Sequence, residues 1–91
     1  MQDALAWPDD VPRVPDAILD AGNEEWVILG HAIRRRLKQI AMGETLEVVS
    51  ADPRARADIP TWCLLSGHEL IQLLTGARGA RFWIRKGGDG S

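Results

Sequence analysis

Apolar residues fall at positions 26, 29, 33, 37 and 40, at spacings of three, four, four and three. That is one face of an α-helix. The opposite side carries Arg34, Arg35, Arg36, Lys38 and Gln39. A helix with a single apolar stripe gains most of its stability by laying that stripe on another element. The material for such an element lies on both sides. Ala17-Ile18-Leu19-Asp20-Ala21, ended by Gly22-Asn23, reads as a first strand. Thr45 to Ala51 alternates Leu46, Val48 and Ser50 against Glu47 and Val49, and reads as a second. Asn23 is the expected N-cap of the helix between them. Glu24 and Glu25 suit its positive end, the cations suit its second half, and Gly43 is expected to end it.

The second half of the chain repeats the logic. Asp52-Pro53 breaks the strand, and residues 54–57 read as a polar connection. Asp58-Ile59-Pro60 has the look of a helix start, with Asp58 near the cap and Pro60 in the first turn. Ile59, Cys63, Gly67 and Leu70 follow at spacings of four, four and three, which places Cys63 on the buried face. The helix is expected to fade near His68 or Glu69. Residues 70–74 and 80–85 are strand candidates around a turn at Gly76 to Gly79. A longer helix running through Leu74 fits the periodicity as well. With the hairpin, the order is βαβαββ, an α+β two-layer sandwich with two helices on one face of a four-stranded mixed sheet.

Length and composition narrow the function. Ninety-one residues make one domain with a thin core. Pro8, Pro12 and Pro15, among Asp9, Asp10 and Arg13, favour an extended leader over residues 1–15. The domain is then expected over 16–87, with a flexible tail at 88–91. A net charge of −2 excludes a nucleic-acid binder that works by bulk charge. One cysteine and two histidines exclude an internal disulfide and a tetrahedral Cys/His metal site, and the lone thiol fits a reducing, cytoplasmic setting. Neither a membrane-length apolar run nor a signal-peptide pattern is visible.

Five motifs, taken together and in order, carry a resemblance. They are Gly43-Glu44-Thr45-Leu46, Asp52-Pro53, Asp58-Ile59-Pro60-x-Trp62-Cys63, Gly67-His68-Glu69 and Phe82-x-Ile84-Arg85-Lys86. The chain resembles the TusA/SirA family of small sulfur carriers from about Leu19 to Gly87. The resemblance implies the βαβαββ sandwich and favours the hairpin. It also implies a relay in which persulfide sulfur passes from a cysteine desulfurase to an acceptor protein. The family nucleophile is the cysteine of a Cys-Pro-x-Pro motif between the first strand and first helix. Here Trp26 stands at that cysteine, and Val27 and Leu29 stand at the two prolines. A persulfide carrier needs an exposed, low-pKa thiolate, which Trp26 cannot supply.

Two readings of Cys63 follow: a substitute sulfur-carrying nucleophile, or a small buried hydrophobe, the commoner fate of a free cysteine. His68 lies five residues on, about 140° round the helix, which suits a structural role better than an acid–base pair with the thiol. His31 reads as solvated or as part of a contact surface. Trp26, Val27, Ile28 and Leu29 form an exposed apolar contact patch or the edge of the core, and Trp26 equally fits packing against Trp7 of the leader. Arg34, Arg35, Arg36 and Lys38 form a solvated face or dock an acidic partner. Expected, then, is a non-catalytic protein-binding module related to sulfur transfer. Trp26, Val27, Leu29, Arg34, Arg35 and Lys38 would meet a protein partner, such as a cysteine desulfurase or another relay protein. The alternative is an active sulfurtransferase-type carrier on Cys63. RNA contact through Arg34 to Lys38 is a weaker reading. No metal, cofactor or membrane is implied, and a monomer is expected.

Overall fold

A computed structural model of the chain describes residues 14–77 and 79–87. Most of the expected leader, the expected tail at 88–91 and any contact between Trp7 and Trp26 lie outside the described residues. The elements run β1 (Ala17–Gly22), α1 (Trp26–Leu37), β2 (Thr45–Ser50), α2 (Pro53–Ser66), β3 (Glu69–Gly76) and β4 (Gly79–Arg85). The sheet order is β1-β2-β4-β3. β1 and β2 are parallel, so a crossover must join them, and α1 supplies it. β4 is antiparallel to both β2 and β3. The expected mixed sheet is therefore present.

The side-chain period of two sorts the central strands. Leu46 pairs with Ile84, Val48 with Phe82 and Ser50 with Ala80, so these residues share one face. Leu29, Ile33 and Leu37 of α1 and Ala55, Ile59 and Cys63 of α2 join the same buried cluster. Both helices thus cover one side of the sheet. At the mouth of β1, Asp16 Oδ2 accepts from the Thr45 backbone N–H at 2.8 Å, and Asp16 N–H donates to the Thr45 carbonyl at 3.0 Å. This pair fixes the register of β1 on β2.

Three boundaries differ from the sequence reading. α1 ends at Leu37, not at Gly43, and is capped by Lys38. Gln39 and Ile40 then donate to the carbonyls of Arg36 and Leu37, and this tighter turn keeps Ile40 against the core. At the other end, Glu25 rather than Asn23 is the N-cap of α1, with no side-chain hydrogen bond. α2 begins at Pro53, five residues before the expected start. Asp52 Oδ1 accepts from the Arg54 N–H at 2.9 Å, and Pro53 takes the first turn, where a missing N–H costs nothing. Residues 54–57 are helical and Ala55 is fully buried. Pro60 consequently lies inside the helix, where it gives up the bond to the Arg56 carbonyl. Gly67 stops α2 with φ +81°, a left-handed cap that excludes the longer helix through Leu74.

Candidate functional site

The stripe of α1 divides its first turn. Leu29 is fully buried, as are Ile33 and, nearly, Leu37, because these positions face the sheet. Leu29 is therefore core, and the expectation that it meets a partner is corrected. Val27 and Ile28 point away and are 66% and 52% exposed. Trp26 lies between, half-buried, packed partly on the core. Its ring edge passes 3.8 Å from where a Cβ on Gly30 would sit, one helical turn on. The indole thus lies over Gly30, with room for ordinary contact to a methyl there.

Trp26, Val27, Gly30, His31 and Arg34 of α1 and Trp62 of α2 line an open depression of about 300 Å³. It brings together Trp26, Val27 and Arg34 from the expected contact set and adds His31. Arg35 and Lys38 are exposed on the same helix but do not line it. α1 has no acidic residue in its first turn and three arginines in its last. Neither of the two described side-chain ion pairs involves α1. They are Arg81–Glu47 at 3.3 Å and Arg85–Glu69 at 2.8 Å.

Trp62 is the residue that sequence reasoning passed over. It sits one position before Cys63, beside the buried stripe, and periodicity does not say toward which neighbour it turns. In the structure it turns toward α1 and His68. The His68 ring stacks on Trp62 with centroids 5.5 Å apart and 27° between planes. His68 is 9% exposed, and its Nδ1 accepts from the Gly87 N–H at 3.0 Å. Burial holds its pKa below the ordinary histidine range, and the nearby Lys86 and Arg34 cations push the same way.

Cys63 belongs to the core. It is 1% exposed, and burial pushes its thiol up to about 12. Of its two readings, the buried hydrophobe fits this position; the exposed thiolate of a nucleophile does not. A larger depression, about 600 Å³, lies by the β3–β4 turn between Val49, Leu74 and Arg81. It holds none of the expected contact residues, whereas the α1–α2 depression holds Trp26, Val27 and Arg34 and is the better candidate. No group of three or more His, Cys, Asp or Glu side chains could hold a metal among the described residues. No described helix is long and apolar enough to cross a membrane.

Comparison with known proteins gives the family. The profile of the family described as Sulfurtransferase TusA matches residues 32–86. The chain belongs to the TusA family. It is 41% identical over 78 residues to the sulfur carrier protein TusA of Pseudomonas putida, covering 82% of this chain and 94% of that protein. The sulfur carrier protein TusA of Pseudomonas aeruginosa is 39% identical over 77 residues, covering 81% of this chain and 94% of its own. The profile match starts beyond Trp26 to Leu29, and it contains the only cysteine of this TusA-family chain, Cys63.

Proposed function

We propose that this chain is a TusA-family protein without the carrier's nucleophile, working in the cytoplasm as a protein-binding module related to sulfur transfer. The observation that carries the reading is the burial of the only thiol. A persulfide carrier must present a thiolate to two partners in turn, and Cys63 is 1% exposed with its thiol near 12. Trp26 begins α1 at the place where the family resemblance puts the nucleophilic cysteine. An indole cannot hold sulfane sulfur, but a partly buried tryptophan at the surface is a strong contact residue.

The contact surface is then Trp26 and Val27, with Arg34, Arg35 and Lys38 as its cationic rim. Leu29 supports it from below. The partner is a protein, such as a cysteine desulfurase or another relay component. Its complementary surface would be apolar with an acidic margin, so binding should weaken as salt screens the rim.

The test uses the full chain with a cysteine desulfurase and cysteine, read by intact-protein mass spectrometry. No added sulfur atom is expected on Cys63. Binding to the desulfurase or a relay protein, measured by calorimetry, is expected to be lost in Trp26→Ala and weakened in the triple variant R34E/R35E/K38E. Stoichiometric persulfide on Cys63, abolished in Cys63→Ser, would overturn the reading and establish the chain as a carrier.

A further inference from the structure

His68 is tied on three sides by groups with different chemistry. Its backbone N–H donates to the Cys63 carbonyl at 3.0 Å, at the end of α2. Its ring lies on Trp62, which walls the α1–α2 depression. Its Nδ1 accepts from the Gly87 N–H. That last bond requires a lone pair on Nδ1, so the ring is neutral with its proton on Nε2. The approach of Gly87 is as close as a backbone allows, since a Cβ there would fall on the Gly67 carbonyl.

We propose that His68 is a pH-responsive clasp: the neutral ring holds the Gly87 amide beside the Trp62 wall, and protonation releases it. An imidazolium has no acceptor on Nδ1, so the N–H of Gly87 would then face another N–H. Charge acts in the same direction. The charged groups that face the ring are Arg34 of α1 and Lys86 after β4, both cations. α2 contributes Trp62, which does not titrate. Lys86 cannot readily move aside, because its Nζ donates to the Ile40 carbonyl at 2.8 Å and its backbone bonds Gly43 and Glu44 at 2.9 Å. A third positive charge would therefore enter a buried, cationic corner. Opening would free two things together: the Gly87 amide and the face of Trp62 now stacked on the imidazole. The clasp does not rest on the partner reading, because it concerns the protein alone.

The experiment is an NMR titration of the full-length ¹⁵N-labelled chain from pH 8 to pH 5. The His68 ring is expected to show the Nε2–H tautomer at high pH and a midpoint below the ordinary histidine range. The Gly87 amide and the Trp62 ring signals should move with the His68 midpoint. Gly87 hydrogen exchange, corrected for its intrinsic pH dependence, should rise by up to about tenfold per pH unit as pH falls from about 6.5 toward that midpoint, and level off below it. In His68→Asn, whose amide oxygen can accept the same bond without titrating, the Gly87 transition should vanish, while His31→Asn should leave it in place. A Gly87 amide that does not follow the His68 midpoint in the unmodified protein would overturn the proposal, whatever the variants do. So would the Nδ1–H tautomer at high pH.

Discussion

Cys63 should be chemically silent in the folded protein, and the size of the effect can be worked out in two ways. Thiol reagents attack the thiolate. At pH 8 a free thiol near 8.5 is about one-quarter ionised. With the thiol at about 12, the ionised fraction at pH 8 is on the order of 10⁻⁴. The loss of thiolate alone therefore slows labelling by about 10³-fold. Access gives a second bound. At 1% exposure the reagent cannot reach the sulfur without opening the core between α2 and the sheet. If opening needs global unfolding at about 5 kcal/mol or more, the competent fraction is no greater than about 2 × 10⁻⁴. Both routes predict that labelling by a disulfide-exchange reagent is at least about 10³ slower in native buffer than in guanidinium. The rate should climb with denaturant below the unfolding midpoint, because opening limits the reaction. Stopped-flow absorbance with intact-mass confirmation measures this directly. A native rate within about tenfold of the unfolded one would refute the burial argument, and with it the main support for a non-carrier.

Gly30→Ala should stabilise the protein by about 0.5–1 kcal/mol, because alanine favours the helix and its Cβ would meet the Trp26 ring at an ordinary 3.8 Å. A thermal melt should rise by a few degrees, and a fall would mean that the indole lies closer to Gly30 than described. Gly79→Ala should destabilise by about 2–3 kcal/mol, since Gly79 has φ +140° and its Cβ would lie 2.5 Å from the Ser50 carbonyl oxygen. An unchanged melting temperature would contradict the close approach of β4 to the end of β2. Asp52→Ala should lose about 1 kcal/mol by denaturant titration, while Asp58→Ala should change stability by less than about 0.5 kcal/mol. The reverse order would place the start of α2 at Asp58 after all. Stability should also depend on His68. Its pKa is lower folded than unfolded, so the unfolded state binds more protons, and the contribution is complete above about pH 6.5 and lost as pH falls through the folded value. Chemical denaturation between pH 8 and pH 5 should show that loss in the native sequence, and a smaller one in His68→Asn.

Much of the fold was written in local spacing. The α1 stripe, the alternation of β2 and the four-residue step from Ile59 to Cys63 each record which way a side chain must face. Those signals survive in a single sequence because they depend only on the helical and strand periods. The α2 boundary shows where local signals divide. Asp52-Pro53 is equally a strand breaker and a capped helix start, and Asp58-Ile59-Pro60 imitates a second start. The decision rests on Ala55, which is fully buried and extends the Ile59–Cys63 stripe by one turn. Leu29 shows a related division. Taken as one of four consecutive apolar residues it looked like part of a surface patch, yet the stripe to which it also belongs is what the sheet covers.

The sequence by itself determined the first three elements, the inward stripes of α1 and of α2 around Cys63, and the absence of any other cysteine. These are properties of spacing and composition. Only the tertiary structure decided that Trp62 turns toward α1, that His68 stacks on it, and that Gly87 returns to the imidazole nitrogen. Those contacts join residues from separate elements, and they exist because the parallel crossovers set the two helices side by side on one face while β4 carries the chain back to the end of α2. Periodicity specifies a face, but which foreign residue fills the space beyond that face depends on how the layers pack.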